Sequence, residues 1–165
     1  MCSSDLYERN FGGIDCYYAP FVTTRDGGIM KKKEKRDILP EKNKGIKLVP
    51  QIMTNRAEDF CKAAEQMAEM GYQEVNLNLG CPSGTIVPKG KGAGFLRKPE
   101  ELERFLDIIY EKCDISISIK SRIGYYDVEE FPELLELYNR YPVKRLILHL
   151  HLKYLLLQVY LSLKL

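Results

Sequence analysis

The sequence predicts an α/β protein built on a parallel sheet. Three observations carry that reading: short apolar runs of strand character alternate with longer stretches of helical period, one helical stretch separates each pair of runs, and turn-forming residues punctuate the joins. Strand, helix, strand at this spacing makes a right-handed βαβ unit, and repeated units bring the C-terminal strand ends to one rim.

Residues 13–21 read as a first strand, and residues 46–53 as a second with Gln51 near its C-terminal end. A helix follows over 55–71. Asn55 and Glu58 have the spacing of a capping box, Phe60, Ala64 and Met67 share one face, and Gly71 supplies the stop. Residues 74–79 form the next strand. Pro99, Glu100 and Glu101 open a second helix, in which Leu102, Phe105, Leu106 and Ile109 recur at helical spacing. A strand over 115–120 comes next. Asp127 and Glu130 then cap a third helix with Phe131, Leu134, Leu135 and Tyr138 facing inward, and residues 145–150 give a last strand.

Composition narrows the class. With 25 Lys and Arg against 23 Asp and Glu, the chain has no strong overall field to name a partner. The five cysteines, Cys2, Cys16, Cys61, Cys81 and Cys113, include no CxxC pair and no histidine at ligand spacing, so a reduced, cytoplasmic protein without a bound metal is expected. Neither a signal peptide nor an uncharged run of membrane-spanning length is present, so no membrane association is expected. A length of 165 residues allows one domain but falls short of the roughly 250 typical of a complete (β/α)8 barrel.

Two ends break the rhythm. Residues 1–5 carry no periodic pattern. Residues 152–165 hold Leu152, Leu155, Leu156, Leu157, Leu161, Leu163 and Leu165 without a cap or turn signal, as a misread frame would, whereas a docked C-terminal helix is the plainer alternative.

The chemistry concentrates at strand ends. Gln51, Asn78 with Cys81, Lys120 with Arg122, and His149 come from successive strand-to-helix junctions, which in a parallel sheet or barrel face the ligand. An amide, an amide with a thiol, two cations and an imidazole suit a flat, polar, anionic cofactor. Each feature also has a plainer meaning. A cysteine at a strand end packs as a small hydrophobe, Lys and Arg are commonly surface charges, and the basic run at 31–36 (KKKEKR) reads as a solvated turn before it reads as an RNA contact. The glycine-rich run at 89–94 is either a flexible loop or a phosphate cradle, and we expect a substrate-side lid near the thiol.

The strings Val49-Pro50-Gln51, Asn76-Leu77-Asn78-Leu79-Gly80-Cys81-Pro82, Gly90-Lys91-Gly92-Ala93-Gly94-Phe95-Leu96 and Ile119-Lys120-Ser121-Arg122-Ile123-Gly124 together resemble the tRNA-dihydrouridine synthases, over residues 11–149. The resemblance implies a TIM-barrel enzyme, an FMN cofactor, NADPH as reductant and tRNA as substrate. It makes Cys81 the general acid, places Gln51, Lys120 and His149 at the flavin, Asn78 at the uracil ring, and Arg122 close to the flavin or the target nucleotide. A hydride would pass from reduced FMN to C6 of a uridine while a proton reaches C5 from the other face, which requires a neutral thiol; an ordinary cysteine, with a pKa of roughly 8.5, is protonated near neutral pH. The target base must leave its stack to reach the flavin, at a cost of a few kcal/mol that a loose tRNA loop lowers.

The family's usual first strand, with its Ala-Pro-Met-like turn, is not found before Leu6. Its later phosphate-gripping loops, its helical C-terminal domain and the Arg expected after His149 are not found either. Residues 6–151 are therefore expected to form a partial barrel, about strands 2 to 6, inactive alone and with weak or no FMN affinity. Two alternatives stay open at this level: an FMN barrel acting on a free pyrimidine, of the dihydroorotate or dihydropyrimidine dehydrogenase kind, and a noncatalytic RNA-binding remnant.

Overall fold

Ten regular elements follow one another in a computed structural model that describes residues 10, 11, 13–25 and 27–151. The strands are β1 (Tyr17–Arg25), β2 (Ile29–Met30), β3 (Leu48–Met53), β4 (Glu74–Leu79), β5 (Ser116–Arg122) and β6 (Leu146–His149). The helices are α1 (Lys32–Asp37), α2 (Ala57–Glu69), α3 (Pro99–Lys112) and α4 (Phe131–Asn139). The sheet runs β2-β1-β3-β4-β5-β6. Five strands are parallel, and β2 alone turns back antiparallel on β1. The result is an open α/β sheet consistent with an arc of a (β/α)8 barrel. The Leu-rich tail lies outside the described residues.

Alternation within the strands sets the two faces. In β4, Val75, Leu77 and Leu79 point to the helices and are fully buried. There they join Ile52, Ile117 and Ile119 and meet Phe60, Ala64 and Met67 of α2 and Leu102, Phe105, Leu106 and Ile109 of α3 in one apolar cluster. Phe60 and Phe95 both pack edge-on against Phe105, at 5.8 and 5.3 Å between ring centres. The opposite, concave face is polar: Gln51 stands beside Asn76, Asn76 beside Ser118, and Asn78 beside Lys120 in register. Every residue of β4 is buried, so a polar/apolar alternation that ordinarily marks a half-exposed strand here marks two different interiors.

Several elements differ from the sequence expectation. β1 begins four residues later than expected. The Asn55/Glu58 capping box does not form: Arg56 is the N-cap, and the Asn55 amide instead donates to the Lys89 carbonyl at 3.1 Å, tying the β3–α2 loop to the glycine-rich run. Gly71 does end α2, with a φ of 93° and its N–H on the Ala68 carbonyl. The run at 31–36 is not a turn but mostly helix α1, in which Glu34 accepts from the Thr23 N–H at 2.8 Å and from its hydroxyl at 3.0 Å, fastening the helix to β1. Asp127 and Glu130 make the expected capping box, but on a 3-10 turn that leads into α4. That helix buries Leu134, Leu137 and Tyr138, so Leu137 takes the inward place expected for Leu135, while Phe131 is only half-buried. The extra 3-10 turn shifts the helical phase.

Candidate active site

Cys81 sits two residues beyond the end of β4, half-buried and outside the apolar core. The loop that carries it is held by Asn78, whose side-chain oxygen accepts the Gly80 N–H at 3.1 Å and the Cys81 N–H at 3.0 Å. Two backbone donors on one oxygen fix which way the Asn78 amide faces, and that choice propagates along the concave face. Its nitrogen must donate to Gln51 Oε1, at 2.6 Å. Gln51 Nε2 must then donate to Asn76 Oδ1 at 2.7 Å, and Asn76 Nδ2 to the Ser118 hydroxyl at 2.9 Å. Ser118 passes its own hydrogen toward the Val75 carbonyl at 3.4 Å. All four side chains are buried, so each bond is made where water cannot replace it.

The glycine-rich run braces the thiol loop from the other side. It is not a simple flexible loop: Gly92–Arg97 forms a 3-10 turn in which Gly92, Ala93, Gly94, Phe95 and Leu96 are buried. The Ala93 N–H bonds the Cys81 carbonyl at 3.0 Å. Gly92 has a φ of 56°, and a Cβ there would lie 2.7 Å from the Cys81 carbonyl oxygen and 2.9 Å from its Cβ. Only glycine meets both demands. Arg97 then bridges to the next junction, with its guanidinium 5.1 Å above the Tyr125 ring and its Nη2 on the Val87 carbonyl at 3.3 Å.

Two cations of β5 lie against the Gly80 turn that precedes the thiol. Arg122 donates from Nε to the Gly80 carbonyl at 2.7 Å and from Nη1 to the His151 carbonyl at 3.0 Å. Burial lowers its pKa from the ordinary value, and the neighbouring Cys81 pulls it partly back up. Lys120 reaches across Gly80, where an added Cβ would lie 3.7 Å from its Nζ. The ammonium is half-buried and, among the described residues, makes no hydrogen bond or ion pair. His149 stands beside Arg122 in register on β6, exposed, with its ring 4.7 Å from that of His151. Its pKa is lowered, first by burial and then by Arg122, Lys120 and His151.

The structure therefore brings Cys81, Asn78, Gln51, Lys120 and Arg122 together at one rim, with His149 one strand further along. Asn78 is more committed than the sequence implied: its oxygen is spent on the thiol loop, and a single amide hydrogen remains beyond the bond to Gln51. Sequence reasoning missed Asn76 and Ser118 as parts of the relay, although both lie two residues from a named site residue on the same strand face. Among the described residues no three His, Cys, Asp or Glu side chains gather to hold a metal, and no helix is long and apolar enough to cross a membrane.

Comparison with known proteins places this arrangement. The sequence model of the family described as dihydrouridine synthase matches residues 6–150. The chain belongs to the dihydrouridine synthase family. Its curated relatives include a probable tRNA-dihydrouridine synthase of Staphylococcus aureus (strain Mu50 / ATCC 700699), 29% identical over 103 residues. A second, from Staphylococcus epidermidis (strain ATCC 12228 / FDA PCI 1200), bears the same name and is 30% identical over 103 residues. Probable tRNA-dihydrouridine synthase 2 of Bacillus subtilis (strain 168) is likewise 30% identical over 103 residues. In each case the match covers 62% of this chain and 31% of the relative, so the chain spans about a third of the length of the curated dihydrouridine synthases it matches.

Proposed function

We propose that these residues form the thiol side of the active site of an FMN-dependent tRNA-dihydrouridine synthase that draws its electrons from NADPH. The observation that carries the reading is Cys81 at a strand end, its backbone N–H held by the Asn78 side-chain oxygen and the Arg122 guanidinium on the neighbouring Gly80 carbonyl. Membership of the dihydrouridine synthase family and the similarity to probable tRNA-dihydrouridine synthases support the RNA substrate.

The residues present fit a flavin. Half-buried Lys120, which makes no hydrogen bond or ion pair among the described residues, and the desolvated Arg122 guanidinium on the same strand favour an electron-rich, anionic ring edge, which would meet Lys120 with Gln51 and His149 beside it. Gln51 has one amide hydrogen left for such a group after serving Asn78 and Asn76. Reduced FMN, when bound, supplies a hydride to C6 of the uracil ring. Cys81 holds its thiol proton for delivery to C5, and Arg122 keeps positive charge beside the sulfur so that the thiolate left behind is stabilised. Asn78 fixes the loop that aims the thiol and offers its remaining N–H to a uracil carbonyl. The concave face excludes water through the filled relay from Asn78 to Ser118. The reading places the protein with the cytoplasmic tRNA pool.

In a full-length protein carrying this segment, Cys81→Ala is expected to leave NADPH-driven FMN reduction intact and to lower uridine reduction in tRNA by roughly 10²–10⁴-fold. The dihydrouridine formed, read by mass spectrometry of the digested nucleosides as uridine that has gained two hydrogens, measures it, with free uracil as the second substrate arm. Wild-type tRNA activity in the variant would overturn the assignment.

A further inference from the structure

Away from the Cys81 rim, two other thiols meet. Cys61 lies on α2, and Cys113 caps the C-terminus of α3. Their sulfurs are 3.2 Å apart although the residues are 52 positions apart in sequence. Both are partly accessible. They line a cavity of about 540 Å3 that also includes Lys62, Tyr72, Lys112 and Asp114 and extends to the first residues of β5. Neither thiol belongs to the relay or to the strand-end site, so the proposed function gives them no task.

Two thiols in contact, beside a cavity large enough for a small peptide-like molecule, have a defined chemistry. The separation exceeds an S–S bond of about 2.05 Å by little more than a small side-chain rotation closes. The two lysines offer positive charge to the carboxylates of an incoming reagent, and Cys61 and Cys113 both line the same cavity with their sulfurs in contact. We propose that Cys61 and Cys113 form a dithiol modification site that reacts with low-molecular-weight disulfides of the glutathione type and closes to an intramolecular disulfide between α2 and α3.

The exchange balances in two steps. The Cys61 thiolate attacks one sulfur of the reagent, forms a mixed disulfide and expels the first small thiol; Cys113 then gives up its proton and attacks the Cys61 sulfur, expelling the second. Two protein thiols are oxidised by two electrons, and one reagent disulfide is reduced to two thiols. This order follows from the environments, since burial, and then Cys61 and Asp114, push the Cys113 thiol up and keep it protonated until it resolves the intermediate. The closed bond would enclose β4, the Cys81 loop and α3 in one covalent ring and join α2 to the end of α3. The inference stands on the geometry of α2 and α3 and does not depend on the function proposed for Cys81.

The reduced 165-residue chain is incubated with oxidised glutathione, and the products are read by intact mass, by peptide mapping and by thermal unfolding. The expected result is loss of two hydrogens, a peptide linking residues 61 and 113, and a rise in Tm of about 5–10 °C. Cys113→Ser is expected to stop at a mixed disulfide on Cys61 with no rise in Tm, and Cys61→Ser to leave residue 113 unmodified over the same time. The proposal is overturned if the 61–113 link is missing at reagent concentrations that modify Cys81, if it appears only in urea, or if the linked protein melts lower than the reduced one. Because the mapping is done on the wild-type chain, a variant that fails to fold does not leave the question open.

Discussion

Strands β4 and β6 both deliver a residue to the proposed site, yet their surroundings are opposite. β4 is paired on both edges, by β3 and β5, and every one of its residues is buried. β6 is paired along β5, its first three residues are half-buried, and His149 at its end is exposed. In β4 the polar side chains satisfy one another, so Asn78 and Cys81 arrive already positioned; among the described residues His149 has its register with Arg122 and its contacts with His151. Preorganisation here follows from having neighbours on both sides, because a buried amide must find a protein partner and an exposed imidazole need not.

The comparison breaks first at the apolar face. Leu77→Ala removes a fully buried side chain and should cost about 2–5 kcal/mol, whereas Leu148→Ala, at a half-buried position, should cost less than half as much; urea unfolding of the two variants measures the gap. Equal costs would mean that β6 is as well packed as β4.

The polar face gives the next largest effect. Asn76→Leu strips Gln51 Nε2 of its acceptor and Ser118 of its donor, for a cost of about 1–3 kcal/mol. Its sharper consequence is local. Once Gln51 can turn over, Asn78 loses its anchor, so the Gly80 and Cys81 amides should exchange with solvent faster while the amides of α2 do not. Unchanged protection at residues 80 and 81 would show that the relay does not hold the thiol loop.

The smallest effect lies at the edge. Lys120→Met removes one of the cations that lower the His149 pKa, so the imidazole should titrate closer to its ordinary value of about 6.5, as followed by NMR of the ring carbon-bound protons. The sign for stability follows directly. The folded pKa is the lower one, so the unfolded chain takes up the proton first; this contribution is whole above about pH 6.5 and shrinks as the pH falls toward the folded pKa. Lys120→Met should narrow that pH window. An unmoved His149 titration would place Lys120 too far from β6 to share a ligand with it.

Much of this was legible in the sequence, and the failures have a pattern. Glu74–Leu79 and the start of α3 at Pro99 were read directly, because apolar periodicity and a proline at the first helical turn are local signals. The short β2 was not foreseen, since two residues carry no period. The Asn55 box failed because the helix starts one residue later, with Arg56 as N-cap, and the Asn55 side chain turns to donate from its nitrogen to the Lys89 carbonyl. The flexible-loop reading of residues 89–94 failed for a tertiary reason too: glycines that look flexible in isolation are there to let Ala93 and Gly92 approach the Cys81 backbone.

The sequence alone determined the five parallel strands, the three longer helices between them and the set of residues at the strand ends, because side-chain period and turn chemistry are encoded within a few residues. Only the tertiary structure decided which way each amide of the relay faces, which glycine braces the thiol, and that Cys61 meets Cys113. Those outcomes depend on groups from different elements competing for the same buried donor, acceptor or volume, and no local stretch of chain contains both competitors.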